Sequence, residues 1–138
     1  RKMMTESSFW TLVRNKLPIK MYRVENKVMK GMPDIHYIHK GKTGWIELKY
    51  MHKLPVKRFT SGFKLNQCYW ALNYRANKGQ TWILIRVVRD LTVLINGKHA
   101  KILFDRPSTK KILEISSWVA KGNISDKQWD ELAKVILS

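Results

Sequence analysis

An α/β domain with a mixed central β-sheet flanked by helices is the fold class this sequence predicts, on three observations. Apolar runs of strand length alternate along the chain with segments of helical spacing. The run "TWILIRVV", residues 81–88, is nearly all apolar, as in a central strand covered on both faces. "PDIHYIH" and "TGWIELKY" flank the turn "KGK", which reads as a β-hairpin. At 138 residues the chain fits one domain, residues 1–138, with a real hydrophobic core.

Taken in order, Thr5 or Ser7 is placed to cap a first helix that carries Phe9, Trp10, Leu12 and Val13 and ends before Pro18. "IKMYRVENKVM" alternates as a strand, with Met21, Arg23 and Glu25 on one face and Tyr22, Val24 and Asn26 on the other. In the hairpin that follows, a two-residue turn at Lys40-Gly41 sets Asp34 directly opposite Glu47. Residues 51–63, with Pro55, Gly62, Lys53, Lys57 and Arg58, read as a long surface loop that binds something or moves. A helix over about Lys64 to Asn77 places Leu65, Cys68, Tyr69, Leu72 and Ala76 at core spacing, and Gly79 ends it. After the central strand, "LTVLI" and "KHAKILF" flank Asn96-Gly97, the strongest short hairpin signal in the chain. Ser108 and Ser125 or Asp126 open two closing helices, packed down by Trp118 and Trp129. The predicted order is α-β-β-β-α-β-β-β-α-α.

Composition narrows the partner. Twenty-seven Lys and Arg against ten Asp and Glu give a net charge of +17, which favours a polyanion and strongly salt-dependent binding. Residues 48–89 hold nine Lys or Arg and no carboxylate, so the polyanion is expected along that segment. No apolar run approaches a membrane span and no continuous apolar segment opens the chain, so neither a membrane partner nor a signal peptide is expected. Cys68 is the one cysteine, which excludes an internal disulfide and a multi-cysteine zinc site and fits the cytoplasm, a host cell's if the protein is viral. The chain has no Gly-rich phosphate loop and no Ser/His/Asp arrangement, so ATP use and acyl-transfer chemistry are not expected.

The acids that remain are informative. Residues i and i+2 of a strand share a face, so Glu47 and Lys49 point together, Asp34 joins them, and Ile46, Leu48 and Tyr50 turn to the core. Two facing carboxylates repel unless a positive charge sits between them. With a lysine alongside, in a basic protein, the pair suits Mg²⁺ bridging to a phosphate. Lys49 would then orient the attacking water or stabilise developing negative charge.

These residues also carry a family resemblance. Gly31-x-Pro33-Asp34 followed by Glu47-x-Lys49 resembles the PD-(D/E)XK nuclease signature. "YRVEN", "GMPD", "GWIELK" and, in the next helix, Gln67 with Trp70 are similar to the virus-type replication-repair nuclease (VRR-NUC) domain often found in phages. The resemblance covers about residues 5–90 and implies an α-β-β-β-α-β core, which leaves about 91–138 as a C-terminal elaboration with a hairpin and two helices. It implies Asp34 and Glu47 as metal ligands, the Leu48 carbonyl as a further ligand, Lys49 as the catalytic lysine and Gln67 as holding water or phosphate; Gln67 reads equally as an ordinary solvated helix residue. Glu6 matches an acid on the first helix that supports the metal, or is an exposed acid favoured by the helix dipole. Glu25 belongs to the match, or pairs with a neighbouring cation. The activity implied is an Mg²⁺-dependent DNA endonuclease, with Mn²⁺ substituting, that acts without a covalent intermediate on branched DNA or Holliday junctions. Homing and restriction roles stay open. Lys53, Lys57, Arg58 and Lys64 are the expected DNA contacts, and symmetric cutting of two strands calls for a homodimer.

Blander readings stand beside these. His36 and His39 face opposite sides of a strand and cannot share a metal, although His36 is on the face of Asp34. His52 and His99 read as surface or nucleic-acid contacts. Cys68, Trp10, Trp82 and Trp118 fit core positions, while Trp45 falls on the face of Glu47. Lys110-Lys111 are phosphate contacts or a solvated face. A non-catalytic nucleic-acid-binding module that uses Asp34, Glu47 and Lys49 as a buried salt-bridge cluster is the rival from another class.

Overall fold

The structure, a computed structural model, describes residues 5–25 and 29–138. It runs α1 (Glu6–Lys16), β1 (Met21–Arg23), β2 (Ile35–His39), β3 (Lys42–Met51), α2 (Leu65–Ala76), β4 (Thr81–Val87), β5 (Leu91–Asn96), α3 (Ala100–Phe104), α4 (Thr109–Ile115), β6 (Ser116–Lys121) and α5 (Asp126–Ile136). The fold class is the expected one: the six strands form one mixed sheet in the order β1-β2-β3-β4-β5-β6. Only β3 and β4 are parallel, joined by α2 as a crossover; the other neighbours are antiparallel. The first six elements follow the α-β-β-β-α-β order. No helix among the described residues is long and apolar enough to cross a membrane.

The sheet is covered on both faces. Ile46, Leu48, Trp82, Leu84, Leu94 and Trp118 meet α1 and α5 in one core, and Ile83, Ile85, Val93 and Ile95 meet α2, α3 and α4 in the other. This two-sided cover explains why β4 is buried at every position. Thr5 caps α1, its side chain accepting from Ser8 N–H, and Phe9, Trp10 and Val13 are buried behind it. Lys40 and Gly41 both have positive φ, the turn that a two-residue hairpin needs, and the resulting register pairs His39 with Lys42 and Ile35 with Ile46.

Several expectations give way to packing. The first strand stops at Arg23; Glu25 lies beyond it and is exposed, and Asn26 lies outside the described residues. In α2, Leu65 and Tyr69 are exposed, while Cys68 and Ala71 are the buried positions. The long loop after β3 is pinned: Phe59 and Phe63 are buried and Phe59 N–H donates to the Pro107 carbonyl. Each phenylalanine contributes roughly 2 kcal/mol by leaving water, enough to hold the loop on the domain.

Asn96-Gly97 does not turn a hairpin. Asn96 accepts from Lys98 N–H and opens a 3-10 turn over Gly97–His99 that leads into α3. "KHAKILF" is therefore helical, because Ala100 and Leu103 bury at helical rather than alternating spacing. A Cβ on Gly97 would collide with the Thr81 side chain, so that glycine is kept by close packing. Ser108 and Ser125 do cap α4 and α5, but Trp118 sits on β6 between them. There Trp118 and Ala120 bury and Val119 does not, a period-two pattern.

Gly31 sets the approach of the site's first segment to α2. Its φ is +89°, and a Cβ there would strike the Asn66 carbonyl in the first turn of that helix. Gly31→Ala therefore forces both a strained backbone and a collision, and a loss of about 2 kcal/mol or more is expected, read as a lower urea midpoint at unchanged m-value.

Candidate metal centre

Three elements bring three carboxylates together. Glu6 comes from the first turn of α1, Asp34 from the bend just before β2, and Glu47 from the middle of β3. One oxygen from each lies within 4.8 Å of the others. The hairpin register accounts for the second pair, since Ile35 opposite Ile46 sets Asp34 opposite Glu47 one step further along. Exposure is graded: Glu6 is exposed, Asp34 half-buried and Glu47 buried at 4%.

Glu47 is held on one oxygen. Its Oε2 accepts from Gln67 Nε2 at 3.2 Å and lies 3.5 Å from Lys49 Nζ. The other oxygen, Oε1, is buried with no hydrogen-bond partner among the described residues. Gln67 is itself fixed, because its Oε1 accepts from Lys64 N–H at 2.9 Å at the start of α2. That bond turns its amide N–H toward Glu47. The face of Glu47 and Lys49 is consequently roofed by α2, and Lys49 is only 8% exposed.

The main chain of β3 alternates in the direction of its peptide groups. Trp45 N–H donates to the Gln80 carbonyl and Val88 N–H donates to the Met51 carbonyl, so the odd residues of β3 turn their peptide groups to β4. Alternation turns the Leu48 carbonyl the other way, toward β2, whose ladder with β3 ends at Ile35 and Ile46.

The electrostatics of the cluster follow from burial and crowding of like charge. The Glu47 carboxyl is pushed up to about 8, first by burial and then by the charge of Asp34, while Lys49 pulls it down less strongly. An unpaired buried carboxylate oxygen beside two further carboxylates, with oxygen donors throughout, is the environment a hard divalent cation satisfies. The residues fit such an ion.

Among the described residues, the remaining expected residues are not hydrogen-bond or ion-pair partners of the clustered acids. Lys53, Lys57, Arg58 and Lys64 are exposed along the segment from β3 to the start of α2, and no ion pair among the described residues ties them to the cluster. Arg58 Nη1 instead donates to the Arg106 carbonyl. Glu25 is exposed and is not one of the clustered acids. His36 contacts the Trp45 ring and Thr43, whereas His39 accepts from Lys20 N–H, so the two do not share a partner. Cys68 is buried in the core.

Two features escaped the sequence reading. A row of rings runs His36, Trp45, Trp70, Tyr74, with centroids 4.8, 5.9 and 4.8 Å apart, Trp45 lying two residues from Glu47 and Trp70 three from Gln67. The spacing of Trp70 from Gln67, one helical turn, was the available signal. The other is Arg86, a charge inside the most apolar strand of the chain, which is buried at 6% exposure.

No protein-family model matches the chain, and no curated protein does. Among solved structures it is similar to Hjc, a Holliday junction resolvase from the archaeal hyperthermophile Archaeoglobus fulgidus. That likeness has 14% identity and a TM-score of 0.47, and covers 65% of this chain and 70% of that one.

The raised Glu47 carboxyl makes stability depend on pH in a defined direction. Its stabilising share is complete below about 4.5, the ordinary value, and is lost as pH rises toward about 8. Without divalent metal, Glu47→Gln should therefore gain on wild type as pH rises from 5 to 8, ending more stable by a few kcal/mol, with no further gain above 8. Thermal melts in EDTA across that range check this; a constant difference would contradict it.

Proposed function

We propose that this chain is a metal-dependent DNA endonuclease of the PD-(D/E)XK type, selective for branched DNA such as Holliday junctions, and that it serves phage replication, recombination or repair. The observation that carries the reading is Glu47, buried with an unpartnered oxygen among two other carboxylates, in a chain of net charge +17. A pure binder gains nothing from carboxylates placed to meet phosphate.

Asp34, Glu47, the Leu48 carbonyl and Glu6 would hold Mg²⁺, with Mn²⁺ able to substitute. When bound, such an ion supplies Lewis-acid polarisation of a phosphoryl oxygen and lowers the pKa of a water. Lys49 brings a positive charge, shielded from solvent, to the place where negative charge builds on the phosphoryl group. Gln67 orients the Glu47 carboxylate through its amide N–H. Water is the nucleophile, so no bond forms between the protein and its substrate. Lys53, Lys57, Arg58 and Lys64 offer exposed cations to the flanking phosphates, and a homodimer would allow two strands to be cut symmetrically.

The test incubates wild type and Asp34→Asn with labelled duplex, single-stranded, flap and four-way-junction DNA in Mg²⁺, Mn²⁺ or EDTA. Wild type should cut the junction only with metal, and Asp34→Asn should bind it as tightly while losing at least about 100-fold in rate. Cutting one duplex sequence without preference for branches would favour a homing- or restriction-type enzyme instead. Tight, salt-sensitive binding with no cleavage of any form would make the chain a non-catalytic nucleic-acid-binding module.

A further inference from the structure

Arg86 stands opposite Tyr50 in the β3–β4 ladder, on the same side of β4 as Trp82 and Leu84 and therefore on the sheet face away from Glu47 and Lys49. No Asp or Glu forms an ion pair with it among the described residues. Its bonds are made by Nη1, which donates to Thr92 Oγ1 at 2.8 Å and to the Gly122 carbonyl at 3.5 Å. Nε is buried without a partner, and so is the neighbouring Tyr50 hydroxyl. The side-on edge of the guanidinium, made by Nε and Nη2, is thus unbonded among the described residues.

Arg86 opens on a cavity of about 270 Å³ lined also by Leu12, Lys16, Asn123, Ile124 and Trp129. A buried guanidinium without a counter-charge is costly, and an oxyanion in this cavity removes that cost. Lys16 adds a second cation; its 3.7 Å pairing with Asp126 is solvent-exposed on both sides and therefore weak competition. Asn123 adds a neutral amide donor, and Leu12, Ile124 and Trp129 are the apolar walls.

We propose that this cavity binds a phosphate group, with the Arg86 guanidinium, Lys16 and Asn123 as its donors. The site lies across the sheet from the carboxylates, so its phosphate is not the one facing Glu47. This inference stands whether or not the chain is a nuclease.

Calorimetric titration of the full chain with inorganic phosphate at fixed ionic strength tests it, with acetate as the control anion. Wild type should bind one phosphate and show no comparable heat with acetate. Asn123→Asp should weaken binding by about tenfold or more, while the charge-matched Asn73→Asp on α2 should leave it within about twofold. Arg86→Met should abolish binding, and Asn123→Asp, at an exposed position, decides the matter if Arg86→Met fails to fold. A 5′-phosphorylated dinucleotide and its unphosphorylated form separate the sources. Tighter, Asn123-dependent binding of the phosphorylated form assigns the site to nucleic-acid ends; binding of inorganic phosphate alone assigns it to the free ion. Absence of phosphate binding, or binding indifferent to Asn123→Asp, overturns the proposal.

Discussion

The organisation of this protein turns on one carboxylate that the fold buries and leaves half satisfied. Glu47 sits in the middle of β3, roofed by α2, with Oε2 bound to Gln67 and paired with Lys49 and Oε1 bound to nothing among the described residues. A buried, singly satisfied carboxylate is expensive, and Asp34 and Glu6 close by make it more so. The surrounding structure enforces it nonetheless. The Lys40-Gly41 turn fixes Asp34 against Glu47, Gly31 lets the chain approach α2 closely, and the start of α2 aims Gln67 at Glu47 Oε2.

β3 divides the molecule's chemistry because its two faces are both buried. One face presents Glu47 and Lys49 beneath α2, and the other presents Leu48 and Tyr50 toward α1 and α5. Lys49 and Arg86 are therefore both shielded cations, yet their surroundings differ. Lys49 has a carboxylate at 3.5 Å, whereas Arg86 has only neutral partners among the described residues and a cavity beside it. α1 spans the two regions, carrying Glu6 at its start and Leu12 and Lys16 further along.

The fold and the acid cluster were legible where local chemistry and tertiary packing agree. The hairpin register followed from a two-residue turn and needed nothing distant, and the capping serines marked α4 and α5 correctly. Legibility failed where packing chose between two local options. "KHAKILF" could alternate or coil, and burial of Ala100 and Leu103 against α2 selected the helix. Leu65 and Tyr69 have helical core spacing but face outward, since α2 leans on its Cys68 and Ala71 side. Phe59 and Phe63 were hidden in a stretch whose Pro, Gly and lysines read as surface. Arg86 could have been flagged as the lone charge in an apolar strand, but its lack of a carboxylate partner is a three-dimensional fact.

The central claim is that the Glu47 cluster exists to hold a divalent cation, and Mn²⁺ titration calorimetry on wild type and Glu47→Gln at pH 7 tests it most directly. Saturable binding by wild type, accompanied by a rise in melting temperature, and lost in a folded Glu47→Gln, is the result this account predicts. A wild type that takes up no Mn²⁺, or a Glu47→Gln variant that binds it equally well, would contradict it.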